Sequence, residues 1–168
     1  PHPRNMDDEQ LLALRDNGGV MQTVALGSFV KAPPPEKEEA VAALREEMGI
    51  EGRAGVRNLS DELRADYDRR MAELDEQWPP ANVQDFVNHI DHAVGLIGID
   101  HVGISSDFDG GGGIVGWNDA SETFNVTLEL VRRGYSEEEI TQLWGGNLLR
   151  VLRDVERVAQ ELQGETSN

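Results

Sequence analysis

The sequence predicts an α/β fold in which parallel strands are separated by helices. Val20 to Leu26 and Val102 to Ser106 are short apolar runs with β-branched residues, and their near-unbroken hydrophobicity is that of strands buried on both faces. Each follows a helix-like segment that stops at glycine, Gly18-Gly19 before the first and Gly98 before the second. Long stretches with apolar residues at helical spacing lie between them, so the pairing is predicted to be parallel, with right-handed crossovers. Two strands cannot cover their own edges, and the chain reads as part of a larger α/β structure.

The elements follow in order. Asn5 is predicted to cap a helix over residues 6–17, with Asp7, Asp8 and Glu9 in the first turn, where the helix dipole favours negative charge. After the first strand, Gly27 to Pro35 reads as a loop stiffened by three prolines, then a charged helix runs from Glu36 to Met48. Glu51 to Leu59 reads as a connection, and Ser60 caps a helix reaching Gln77, with Leu63, Tyr67, Met71 and Leu74 on one face and Trp78-Pro79-Pro80 closing it. Residues 31–81 thus form a polar helical excursion, either a lid beside the preceding strand end or a dimer seam. Asn82 caps the clearest helix, whose Val83, Phe86, Val87, Ile90, Val94 and Ile97 recur as a core-facing stripe. A helix over 120–133 follows the glycine loop, Ser136 to Glu139 makes a capping box for a short helix to Trp144, and Gly145-Gly146-Asn147 resets the chain for a last helix. The expected organisation is one domain over residues 1–163 carrying that insertion, and a polar tail over 164–168.

Composition narrows the function. In 168 residues, 32 acidic side chains against 15 basic ones give a formal charge of −17, which repels phosphate backbones and excludes nucleic acid as the expected partner. The absence of cysteine removes disulfides, thiol nucleophiles and thiolate zinc sites, so any metal would need His and carboxylate ligands. No stretch has the length and apolarity of a membrane span, which predicts a soluble chain and leaves its compartment, cytoplasm or bacterial periplasm, open.

The chemistry is predicted to gather at His101 to Gly113. An apolar strand there delivers Asp107 and Asp109 at its carboxyl end, the end where parallel α/β folds place their sites, and then runs into four glycines. Asp and Gly after a strand also make ordinary turns. A calcium loop is excluded, because its fifth position would be Gly111 and its twelfth Asn118. His89 and His92 share a helix with Asp85 and Asp91, but their spacing is not that of the zinc-protease helix and no glutamate base lies between them, so a structural or surface role is expected. His101 stands at the amino end of its strand, away from the chemistry.

Five segments in order resemble the renal, or membrane, dipeptidase family of zinc peptidases: His2-Pro3-Arg4-Asn5 with Asp8, Glu9 and Gly18-Gly19-Val20; Asp85-Phe86-Val87-x-His89-Ile90-Asp91-His92; Gly98 to Gly103; Ser106 to Gly110; and Gly145-x-Asn147-Leu148-Leu149-Arg150-Val151. The bacterial members look closest, with a similar charged insert and Pro-Pro exit. The resemblance implies the C-terminal part of an amidohydrolase-type (β/α)8 TIM barrel, in which the two strands are the last two and a glutamate bridges two zinc ions. It implies hydrolysis of dipeptides, with Asp107 holding the substrate's amino group and helping to manage the proton of the attacking water, and with Arg4 pairing with the free C-terminal carboxylate. Both roles are chemically sensible: a guanidinium forms a two-point fork to carboxylate, and a carboxylate beside an attacking water can take its proton.

The chain departs from the family in one large respect, since the family's zinc ligands precede its first residue and none of those positions lies in the sequence. The expectation is therefore a piece of a zinc metallodipeptidase, inactive alone, whose partners are a dipeptide substrate and either the missing N-terminal barrel portion or a second copy in a homodimer. The alternative is a non-catalytic helical self-association or protein-binding module.

Overall fold

The computed structural model describes residues 2–52 and 55–165. In chain order its helices are α1 (Asp8–Asp16), α2 (Gly27–Val30), α3 (Pro35–Glu47), α4 (Asp61–Gln77), α5 (Val83–Ile97), α6 (Thr123–Arg132), α7 (Glu137–Thr141) and α8 (Asn147–Glu165), and its strands are β1 (Met21–Val24) and β2 (Val102–Ser105). Two compact units result, one from the chain before Lys31 and after Pro80, the other from Lys31–Pro80.

In the first unit β1 and β2 pair in parallel, with Met21 opposite Val102 and Val24 opposite Ser105. Ala25 N donates to the Ser105 carbonyl at 3.0 Å, so strand alternation turns the Val102 carbonyl to the opposite edge, where Asn147 Nδ2 donates to it at 2.8 Å. The foot of α8 therefore closes the outer edge of β2 at that point. The outer edge of β1 has no strand beside it among the described residues.

Several sequence expectations are corrected here. The first strand is shorter than Val20 to Leu26, because Leu26 makes only a single bridge to Gly113 and the chain then coils into α2, where a loop was expected. It is also not buried on both faces: Thr23 is buried while Met21, Gln22 and Val24 are half-buried along the uncovered edge. The cap of α1 is Asp7, in a capping box with Gln10, and Asn5 instead donates its side-chain amide to the Phe29 carbonyl at 2.9 Å. At the other end of the chain, Gly164 and Glu165 continue α8 rather than begin a tail, and residues 166–168 lie outside the described residues.

α5 is the spine of this unit. Its Asn82–Asp85 capping box fixes the start, Gly98 at φ 86° ends it, and Phe86, Val87, Ile90, Ala93 and Ile97 are buried along one side. Trp117 fills the centre, 2% exposed, with its ring 5.5 Å from Phe86, 5.4 Å from Phe108 and 5.8 Å from Trp144. Its indole N–H donates to Thr123 Oγ1 at 3.1 Å, which satisfies the polar end of a side chain otherwise buried among rings. α6 contributes Val126 and Leu130 to the core but leaves Phe124 and Val131 exposed. Its C-terminus is tied to α5 by Arg133, which donates to Asp91 Oδ2 at 2.5 Å and to Glu129 Oε1 at 3.0 Å, while Tyr135 Oη donates to Asp91 Oδ1 at 2.8 Å. The turn over Gln142–Gly146 then leads from α7 into α8 through a kink at Gly145, whose backbone leaves the helical conformation at φ 161°, so the chain is reset there as the sequence predicts.

The second unit holds α3 and α4. Arg70 of α4 meets Glu47 of α3 through two hydrogen bonds, at 3.0 and 2.6 Å, and that fork holds the Glu47 carboxyl below its ordinary range. The largely buried Lys37 donates to Asp75 at 2.6 Å and to the Trp78 carbonyl at 2.8 Å, while Leu44 and Ile50 supply the apolar contacts. Ser60 caps α4 as expected, and Leu63 on its apolar side is 48% exposed. Arg53 and Ala54, within the connection expected over 51–59, lie outside the described residues; Gly55–Asn58 forms a single 3-10 turn.

Candidate active site

Asp107 follows β2 by two residues and stands at the carboxyl end of the sheet. It has φ 58° and ψ 31°, the left-handed conformation that costs a non-glycine residue about 1–2 kcal/mol, though Asp is among the few that adopt it. Four contacts hold it there. Gly110 N and Gly112 N both donate to the Asp107 carbonyl, at 3.0 and 2.6 Å, Gly113 N donates to Ala25 O at 2.9 Å, and the neighbouring Phe108 ring meets Trp117 edge-on. The glycine run is needed for this wrap: a Cβ on Gly112 would lie 2.7 Å from the Asp107 carbonyl carbon and collide with Ser106 O. Asp107 is exposed, and among the described residues its carboxylate forms no ion pair.

Arg4 reaches the carboxyl end of β1 by another route. Its backbone N–H donates to His2 Nδ1 at 3.2 Å, and its guanidinium carbon lies 5.2 Å from the centroid of the Phe29 ring in α2, the helix that directly follows β1. Arg4 borders a groove of about 880 Å³ that runs along the uncovered edge of β1, with Met21, Thr23, Leu11 and Phe29 among its walls and Asp7 and Asp8 at its rim. Its guanidinium makes no ion pair among the described residues. Arg4 and Asp107 are thus charged side chains at the carboxyl ends of two adjacent parallel strands, and they do not pair with each other.

The other three histidines are engaged elsewhere. His89 Nε2 meets the Val30 carbonyl at 2.7 Å, His92 Nε2 meets Asp8 Oδ1 at 2.8 Å, and His101 Nδ1 meets the Gly19 carbonyl at 2.8 Å. Each joins segments far apart in sequence. Among the described residues no three His, Asp or Glu side chains converge to hold a metal ion.

Two contributors carry no sequence-level role. Phe29 sits in a stretch that reads as loop, and only the spatial return of residues 2–5 reveals it. Asn147 belongs to the Gly145-x-Asn147 segment, but its partners, the carbonyls of Ile99 and Val102, lie 48 and 45 residues away.

With this geometry in hand, the comparisons with known proteins are specific. The family described as Membrane dipeptidase (Peptidase family M19) matches residues 1–166. Dipeptidase ataJ of Aspergillus terreus is 33% identical over 168 residues, which is 99% of this chain and 30% of that protein. Dipeptidase tcpJ of Claviceps purpurea is 41% identical over 85 residues, 50% of this chain and 20% of that protein. A crystal structure of the probable dipeptidase PvdM from Pseudomonas aeruginosa superposes with a TM-score of 0.64 at 36% identity, covering 88% of this chain and 40% of that one. The chain spans less than half the length of each of these relatives.

Proposed function

Since the chain belongs to the membrane dipeptidase family, peptidase family M19, we propose that it is the C-terminal portion of a zinc-dependent dipeptidase barrel and supplies two of the groups that hold the substrate. Arg4 takes the free C-terminal carboxylate, and Asp107 takes the amino group and helps to move the proton of the attacking water to the leaving amine as the new C–O bond forms and the peptide C–N bond breaks. The observation that carries this reading is the pair of unpaired charges of opposite sign at the carboxyl ends of β1 and β2. A dipeptide zwitterion presents the complementary pair, and a longer peptide lacks the free carboxylate at the same distance from its amine.

The exposed face of α8 supports the partial character of the chain. Leu148, Leu149, Leu152 and Val155 are each about half exposed on one strongly amphipathic helix, an apolar strip of the kind that partner structure covers. In this reading the remainder of the barrel covers it and brings the zinc ligands, and the isolated chain does not hydrolyse dipeptides. No helix among the described residues is long and apolar enough to cross a membrane.

The test is to titrate the isolated chain with glycyl-leucine, follow its amide resonances, and assay hydrolysis with zinc added. Binding without hydrolysis is expected, weakened in both Arg4→Ala and Asp107→Asn. Unchanged binding in both variants would remove these residues from the substrate site, and zinc-dependent turnover by the isolated chain would show that the catalytic set is complete within it.

A further inference from the structure

Arg4 is a cation in a chain of formal charge −17, with Asp7 and Asp8 on the same groove, yet it is seated on an aromatic ring rather than in an ion pair. We propose that Phe29 is a positioning residue for Arg4: its ring holds the guanidinium plane, leaving the in-plane N–H fork for the carboxylate of a short peptide. The inference rests on the assignment of Arg4 as the carboxylate-binding group.

The physical case has two parts. A guanidinium is planar and carries its five donors within that plane, while the attraction of an aromatic ring acts on its face. Stacking therefore restrains the side chain without using a donor, whereas an acidic partner would occupy the fork that the ligand needs. Arg otherwise has large rotamer freedom to lose on binding, and part of that loss is already taken in the free protein when the stack forms.

The second part is that Phe29 itself is fixed. Its amide donates to Leu26 O at 2.8 Å, its carbonyl accepts from Asn5 Nδ2 at 2.9 Å, and its ring lies 4.2 Å from the His2 ring. The next carbonyl, of Val30, is held by His89 Nε2 at 2.7 Å, which anchors the single turn of α2 to α5. A helix of four residues has little stability of its own, so these side-chain hydrogen bonds set where the ring stands. His89 and Asn5 thereby act on Arg4 through Phe29.

The experiment uses the whole chain, 15N-labelled, in native form and as Phe29→Leu, Phe29→Trp and Arg4→Ala. Arg4→Ala identifies the Arg4 Nε–Hε resonance by its loss. In the absence of ligand this resonance is expected to carry a ring-current shift in the native chain and in Phe29→Trp, and to lose it in Phe29→Leu. On titration, Phe29→Leu is expected to weaken glycyl-leucine binding about two- to fivefold, as the loss of one exposed cation–π contact predicts. Phe29→Trp should retain native affinity, and glycyl-leucinamide, which lacks the carboxylate, should not distinguish any of the three aromatic-site forms. An Arg4 resonance that Phe29→Leu does not move overturns the stack. A resonance that moves while only Arg4→Ala weakens glycyl-leucine binding overturns the positioning role and leaves Arg4 in place. Glycyl-leucine binding that Arg4→Ala leaves untouched overturns the assignment of Arg4 itself, and the inference with it.

Discussion

Replacing Asn147 with alanine should cost the fold about 2–4 kcal/mol, a large share of the stability of an ordinary domain. Asn147 is 2% exposed, and its single NH₂ group donates to two carbonyls, Ile99 O at 2.6 Å and Val102 O at 2.8 Å. Only the orientation that turns nitrogen toward these oxygens satisfies both. Alanine removes both donors and leaves the two carbonyls without them, at about 1–3 kcal/mol for each group left buried and unpaired. The lower part of the summed range applies, since water can reach the Ile99 side of the site, which is only part-buried. The assay is urea unfolding followed by tryptophan fluorescence and far-UV circular dichroism. With a slope of about 2 kcal/mol per molar urea, the middle of the usual range, the midpoint should fall by about 1–2 M at unchanged slope. Asn147→Asp should be worse than alanine, because it turns an acceptor oxygen toward two acceptors. A loss below about 0.5 kcal/mol for alanine would mean that the edge of β2 is not held by the foot of α8, and the placement of that helix would have to be reconsidered.

Two further outcomes follow from the same geometry. Asp107→Gly should leave thermal stability unchanged or raise it by up to a few degrees while abolishing dipeptide binding, because relief of about 1–2 kcal/mol of left-handed strain is offset by the backbone entropy of glycine; a fall of several degrees in a thermal melt would contradict the backbone assignment. Burial, and then the hydrogen bond to Asp91, push the Tyr135 phenol above its ordinary value, so the folded state keeps this proton longer than the unfolded chain. Its contribution to stability is complete below about pH 10, the unfolded value, and is lost as pH rises toward the folded value. The part of the 295 nm phenolate signal that Tyr135→Phe removes should appear at pH 11 in urea and not in the native chain, and simultaneous ionisation in both would refute the contact.

What the sequence makes legible is what depends on neighbours a few residues apart. α5 is read from the sequence because Asn82 and Gly98 mark its two ends and the apolar period between them is regular, while the answering half of its capping box, Asp85, emerges only in the structure. The parallel pairing of the two strands is read from the helical length between them. The errors arise where a distant partner overrides a local preference. Asn5 is a good cap by residue type, but the Phe29 carbonyl, 24 residues on, takes its side chain and Asp7 does the capping. Trp117 lies in a glycine-rich stretch that reads as loop, yet it is the most central ring of the core, since a loop without regular structure can still bury one large side chain. Asp107 is singled out in the sequence by its place at the end of an apolar strand, and Arg4 only through resemblance to a family. Their seats, a ring and a left-handed turn, are visible only in three dimensions.

The way Asp107 is held also explains why its loop is rich in glycine and ends in tryptophan. A strand alone fixes the position of the residue after it but not its conformation, and left-handed backbone is tolerated only where the surroundings over-determine it. Here the restraint comes from residues downstream. Gly110 and Gly112 fold back onto the Asp107 carbonyl, Gly113 returns to Ala25 beside β1, and Trp117 holds the Phe108 ring against the core. The first two steps need bare backbone, since a side chain at Gly112 would strike the chain it wraps. The third needs a large buried ring, because a loop of glycines has no packing of its own with which to resist the strain. A carboxylate held this way is exposed while its stem is tied to both strands and to the core. Its direction is consequently a property of the segment from Ser106 to Trp117 as a whole, and substitutions at Gly112 or Trp117 act on the same group as substitutions at Asp107.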